Sequence, residues 1–225
     1  MFQHILVPLD GSTRSEGAIP VAARIARASG GTIILLRVVT LPIELGSHLL
    51  QSSPLTRGTL EADINAATHY LTTLAELDEL EGIGLQMKVL TGNPARTILA
   101  TAKEEQADLV VMCTQGDTGF KRWFLGSVAQ KVARHSPAPV LVLRKGGTMP
   151  TSSYPDRLRP LRALMVLVAL DGSDYAETAL VPAARLVTAL AAPARGILLL
   201  TTVVNPSANG SEQSAKEHLY PHMDE

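Results

Sequence analysis

The chain has 225 residues, 46% of them apolar but only 4% aromatic, with 20 basic and 21 acidic side chains and a formal net charge of -1. That length holds one domain of about 100–150 residues and part of another; the core must be aliphatic, and the charge balance gives no basic stripe of the kind a nucleic-acid surface shows. The single cysteine, Cys113, excludes an intrachain disulfide and fits a reducing cytoplasm, no basic leader precedes the first apolar run, and the apolar stretch at residues 163–170 is far short of the roughly 20 residues of a membrane helix.

In chain order, residues 5–8 form an apolar run closed by Asp10-Gly11, and Ser12 is placed to cap a helix with Ser15 and Glu16 in its first turn. Ala18, Ile19, Ala22, Ala23, Ile25 and Ala26 recur at helical spacing, and Gly30-Gly31 ends that helix. Thr32–Val39 reads as a strand apolar on both faces, residues 40–59 as a loop rich in Leu, Ser and Pro, residues 60–77 as a helix and residues 85–90 as a strand. Gly92-Asn93-Pro94 turns into a helix over 95–105, with Asn93 as its cap and Pro94 at the first helical position. Residues 109–112 and Val140–Leu143 complete five strands. Continuous apolar strands separated by helices predict an α/β fold, a doubly wound five-stranded parallel sheet whose ligand lies at the carboxyl ends of the strands.

The segment with the most chemistry is Gly116-Asp-Thr-Gly-Phe-Lys-Arg-Trp-Phe-Leu-Gly126-Ser127, between the strand at 109–112 and a helix over 127–134. A strand, a glycine loop and a helix start in series suit phosphate, because glycines let the backbone approach an anion and the first helical amides point at it unpaired. Lys121 and Arg122 lie inside that loop and can shield phosphate charge. Asp10 can accept a hydrogen bond from a sugar hydroxyl or a base amine, and Ser127 offers a hydroxyl where the helix dipole favours an anion. Asp10-Gly11-Ser12 and Gly126-Ser127 also fit ordinary turns with helix caps, and Cys113 also fits a small apolar filler. With no Gly-Lys-Ser/Thr sequence, a Walker-type ATPase has no support. No paired carboxylates, metal cluster or nucleophile–base pair supports efficient turnover, so no catalytic residue and no metal ligand is assigned.

The chain also repeats itself. Ile5-Leu-Val-Pro-Leu-Asp-Gly-Ser12 recurs as Val166-Leu-Val-Ala-Leu-Asp-Gly-Ser173, and Gly31-Thr-Ile-Ile-Leu-Leu-Arg-Val-Val39 as Gly196-Ile-Leu-Leu-Leu-Thr-Thr-Val-Val204. A repeat of this length is a duplicated domain and not a solenoid unit. The second copy supplies a βαβ unit with no counterpart of the segment from Gly116 to Ser127. The expected division is 1–146 for the first unit, 147–162 for a Gly/Pro/Ser-punctuated linker, and 163–225 for an incomplete repeat with a polar tail. A lone βαβ unit must lean on the first unit or on another copy of the chain.

These motifs together resemble the universal stress protein family. The likeness rests on Val7-Pro-Leu-Asp-Gly-Ser12, Gly92-Asn-Pro-Ala95, Ala107-Asp-Leu-Val-Val-Met112, the Gly116-to-Gly126 spacing with Ser127, and Pro137-Ala-Pro-Val-Leu-Val-Leu143. It covers residues 1–146 fully and 163–204 as a first half. It implies a Rossmann-like fold of the adenine nucleotide alpha hydrolase-like kind and an adenine-nucleotide-binding stress-response sensor or regulator. The implied ligand is ATP (or AMP or ADP), with magnesium accompanying ATP and hydrolysis slow at most. By the resemblance, Pro8, Leu9 and Asp10 border the base or its sugar, and so does Val38. Met112, Gln115 and Gly116 take ribose and phosphates, and Gly126, Ser127, Val128 and Ala129 take phosphates. Nucleotide-binding members carry a further Gly where this chain has Cys113, so a side chain there is expected to narrow the pocket floor. The alternative within the same fold is a nucleotide-free dimerisation module. The expected partners are an adenine nucleotide and a second copy, joined through Val140–Leu143 or the partial repeat, in the cytoplasm, with no nucleic acid and no membrane.

Overall fold

The computed structural model describes residues 1–40, 54–114, 126–144 and 164–202, with side chains from residue 58 onward in the second of these stretches. Five parallel strands, β1 (His4–Leu9), β2 (Thr32–Val39), β3 (Gly84–Thr91), β4 (Leu109–Cys113) and β5 (Val140–Leu143), form one sheet in the order β3-β2-β1-β4-β5. The helices are α1 (Thr13–Glu16), α2 (Ala18–Ser29), α3 (Pro54–Ala75), α4 (Pro94–Glu104) and α5 (Ser127–His135). The chain winds outward from β1 through β2 to β3, then returns to the other side of β1 for β4 and β5. The segments leaving β1 and β4 therefore diverge to opposite faces, which opens a crevice at their carboxyl ends.

Strand alternation explains the unbroken apolar runs. Ile5, Val7, Leu9, Ile33 and Leu35 point to the face covered by α2 and by Leu71 and Leu74 of α3. Leu6, Ile34, Leu36, Val110 and Met112 point to the other face, against Ile98 and Ala102 of α4 and Ala129 and Val132 of α5. Ile5, Leu6 and Val7 are wholly buried, and each such side chain contributes roughly 1.5–3 kcal/mol of transfer free energy. Gly31 lies where β2 passes closest to the chain before β1: a Cβ there would collide with the Phe2 carbonyl oxygen.

The structure differs from the sequence reading in two helices. The first expected helix is broken: α1 is a single turn capped by Ser12, and α2 starts anew at Ala18. At the junction a Cβ on Gly17 would stand 3.2 Å from the Arg14 carbonyl oxygen, so the missing side chain eases the turn, and 3.6 Å from the Cys113 sulfur of β4, an ordinary contact distance. The next helix begins at Pro54, six residues before the apolar periodicity at Leu60, and ends at Ala75, two residues earlier than expected. Proline suits a first helical position, whereas the polar residues and Gly58 that follow it hide the first turns from a periodicity reading. Asn93 does cap α4, accepting from the Arg96 amide at 3.2 Å, with Pro94 first in the helix.

The segment expected to be a second copy folds as β6 (Met165–Leu170), α6 (Asp174–Glu177), α7 (Leu180–Ala191) and β7 (Ile197–Thr202), with β6 and β7 paired in parallel. Its first turn breaks from its long helix as in the first copy, and Ser173 caps α6 as Ser12 caps α1. The unit leans on the first: α7 packs against α2, Ala189 and Leu190 join the core on that face, and the Arg24 guanidinium donates to the Ala192 carbonyl at 3.3 Å. On the face turned from α7, Met165, Leu167, Ile197 and Leu199 remain exposed, whereas Leu6 and Ile34, the counterparts of Leu167 and Leu199, are buried. The glycine-flanked segment from residue 115 to 125, the linker and the polar tail lie outside the described residues.

Candidate functional site

Asp10 directly follows β1 and lines the crevice. Its Oδ1 accepts from the Ser12 amide at 2.9 Å and the Ser12 hydroxyl at 2.5 Å, and Gly11 turns the chain with φ +84°. Ser12 in turn caps α1 by accepting from the Ser15 amide at 3.2 Å, while the Ser15 hydroxyl donates to the Ser12 carbonyl at 2.8 Å. Burial pushes the Asp10 carboxyl up, but the Ser12 hydroxyl and amide, the Ser15 hydroxyl and the Arg37 charge outweigh it and hold it below its ordinary value. The turn-and-cap reading of Asp10-Gly11-Ser12 is therefore realised, and Asp171 repeats it with Ser173. One carboxylate can fill both roles, because both Ser12 hydrogen bonds fall on Oδ1.

Across β1, α5 starts at Ser127. Gly126 precedes it in an extended conformation (φ -52°, ψ 151°) and gives the helix no side-chain cap. The amides of Ser127, Val128 and Ala129 fall in the first turn, where an α-helix offers no internal acceptor. The dipole adds partial positive charge at the same place.

These two features share one cavity. A space of about 410 Å³ is lined by Pro8, Leu9 and Asp10 after β1, Val38 of β2, Met112 and Cys113 of β4, and Gly126, Ser127, Val128 and Ala129 at the start of α5. The structure thus gathers these ten sequence-expected residues around one volume; Gln115 and Gly116 lie outside the described residues. Apolar Leu36, Pro94 and Ile98, with Ser15 and Thr40, complete the wall, and none of them was singled out from sequence as part of a site. Their signal is too common: Leu36 and Ile98 belong to ordinary core periodicity. Arg37 was also missed, although a lone charged residue in the apolar strand Thr32–Val39 is a visible anomaly. A second space of about 430 Å³ shares Arg37, Val38 and Thr40 with the first and is also lined by Asp63 and Tyr70. Burial, helped by the hydrogen bond its hydroxyl donates to Glu16 at 3.0 Å, pushes the Tyr70 phenol up to about 12.

Cys113 lines the cavity and also packs on the α2-side core. Burial, then the Asp10 charge, push its thiol up and keep it protonated. The volume of about 410 Å³ is what remains with this side chain in place.

The profile of the Universal stress protein family matches residues 1–144. The chain belongs to this family. This universal stress protein is 34% identical over 145 residues to a universal stress protein of Thermus aquaticus, covering 64% of this chain and all of that one. It is 32% identical over 145 residues to one from Methanocaldococcus jannaschii, covering 64% of this chain and 84% of that one. The solved universal stress protein UspA from Lactobacillus plantarum superposes with a TM-score of 0.53 at 26% identity, over 64% of this chain and 98% of that one. Among the described residues, no helix is long and apolar enough to cross a membrane.

Proposed function

We propose that this protein binds an adenine nucleotide, ATP, ADP or AMP, in the cavity between Asp10 and the start of α5, and acts as a stress-response sensor or regulator with slow hydrolysis at most. The observation that carries this reading is that a carboxylate and an uncapped helix N-terminus, 116 positions apart in sequence, line one space of about 410 Å³. That volume falls within the roughly 300–1,000 Å³ of small-molecule sites. In this reading Pro8, Leu9 and Val38 border the base, and Asp10 accepts from a sugar hydroxyl or the base amine. The amides of Ser127, Val128 and Ala129, with the Ser127 hydroxyl, hold phosphate oxygens. Met112 and Cys113 form the floor, and Gln115 and Gly116 rest on the family resemblance alone. Asp10 is the single carboxylate among the described lining residues, so a magnesium ion would enter on the phosphates of ATP and not on a protein cluster. Residues 1–146 carry the site in this reading, 147–162 link, and 163–225 are an incomplete repeat. Isothermal titration of the purified protein with ATP and with AMP tests the proposal: saturable heat at one site per chain supports it, and no heat with either ligand rejects it.

A second reading, a nucleotide-free dimerisation module, is favoured by one observation. Among the described residues β5 has β4 on one side and no strand on the other, and its four apolar residues are half-buried, which offers an apolar edge to another strand. Light scattering after gel filtration tests it: a dimer that Val142→Lys converts to monomer supports this interface, and a monomeric wild type rejects it.

A further inference from the structure

Arg37 is the one residue of the cavity wall that breaks the chemistry around it. It is the sole charged side chain of β2, half-buried between the buried Leu36 and Val38. By strand alternation it shares the face of Ile33 and Leu35, yet at the strand's carboxyl end that face opens into the crevice. Its guanidinium makes one hydrogen bond and passes close over Gly11. Nη1 donates to the Val38 carbonyl at 3.3 Å, and Nη2 lies 3.4 Å from where a Cβ on Gly11 would stand. Burying such a group without a counter-charge is unfavourable. Among the described residues no carboxylate comes within ion-pair distance of it, and the Asp10 charge reaches it only at longer range.

The strand order supplies the rest. Arg37 sits on β2 and the α5 amides follow β4, on opposite sides of β1 and its Asp10. Neighbouring strands lie roughly 4.8 Å apart, so β2 and β4 stand about 10 Å apart across β1, and the Arg37 side chain and the start of α5 line the same cavity. An anion placed on the α5 amides meets the negative Asp10 carboxylate next to it. Arg37 is the cation of the described wall that offsets that repulsion. Its effect is coulombic and so scales with the charge of whatever occupies the cavity.

We propose that Arg37 is the specificity-determining residue that makes this cavity select ligands by negative charge, favouring a nucleoside polyphosphate over a monophosphate and a monophosphate over the bare nucleoside. The inference rests on the nucleotide reading of the same cavity and goes beyond it, because nothing in that reading ranks these ligands.

The test is titration of ATP, AMP and adenosine into wild-type, Arg37→Gln and Arg37→Lys protein at low and moderate salt, with thermal melts as a folding control. The expected result is a graded loss in Arg37→Gln: roughly tenfold for ATP, smaller for AMP and within about twofold for adenosine. Arg37→Lys, which keeps the charge but not the fork, should recover most of the ATP affinity. The salt dependence of ATP binding should weaken in Arg37→Gln relative to wild type. An equal loss for all three ligands would mean that Arg37 only shapes the wall, and it would overturn the proposal. So would ATP affinity unchanged in Arg37→Gln. A wild type that binds none of the three ligands rejects the nucleotide reading itself, an outcome distinct from either.

Discussion

Replacing Ser127 with proline isolates the main-chain part of the proposed phosphate cradle. Ser127 is the first residue of α5, so its amide makes no intrahelical bond and its loss removes no helix hydrogen bond. Proline is favoured at that position, and Gly126, at φ -52° and ψ 151°, already has the extended backbone that a residue before proline requires. The fold should therefore tolerate Ser127→Pro, with a change in Tm of at most a few degrees. If a phosphate sits on the Ser127, Val128 and Ala129 amides, the substitution deletes one of three charge-assisted donors and the hydroxyl as well. A hydrogen bond to a charged group contributes about 1.5–3 kcal/mol, or roughly ten- to hundredfold in Kd. Ser127→Ala keeps the amide and loses only the hydroxyl's bond, so its loss should be smaller than that of Ser127→Pro. Titration calorimetry with ATP on the three proteins reads both losses. Wild-type affinity in Ser127→Pro, with an unchanged melt, would show that this amide holds no phosphate and would refute the reasoning.

Other consequences can be measured on the free protein. The Asp10 carboxyl titrates below its ordinary 3.8, so its contribution to stability is complete above that pH and disappears as pH falls through the lowered native value. Urea melts of wild type and Asp10→Asn should therefore differ most above pH 3.8 and converge in more acid solution; parallel profiles would contradict this. Leu35, wholly buried in the α2-side core, should cost roughly 2–5 kcal/mol on truncation to Ala, read as a shift in denaturation midpoint. Leu190 is 5% exposed and joins the first unit's core from α7. Leu190→Asp should release the second unit to limited proteolysis while the first stays resistant. Unchanged cleavage would mean that α7 does not rest on α2 in solution.

The fold was legible because its signals are local and repeated. Thr32–Val39 and Val140–Leu143 agree residue for residue with the strands found, since turn residues bound each apolar run. Asn93-Pro94 fixed the start of α4 by the same logic. The break between α1 and α2 was not legible, because Gly17 stands alone at the junction and a single glycine inside a helical pattern is often tolerated. At the site, residues of recognisable type at strand and helix ends were found from sequence. Their meeting in one cavity follows from the strand order, which places β4 directly beside β1. Arg37 escaped because strand periodicity asks only which face a residue takes. Whether that face is core or crevice depends on how far β2 runs past its neighbours. Leu36, Pro94 and Ile98 escaped because a side chain that lines a cavity looks, in sequence, like one that fills a core.

The most direct test of the nucleotide site is a crystal structure of the protein grown with ATP. The account predicts phosphate density against the Ser127, Val128 and Ala129 amides, with the sugar or base within hydrogen-bond distance of Asp10. ATP bound elsewhere, or this cavity filled by the chain's own side chains in the presence of ATP, would contradict it.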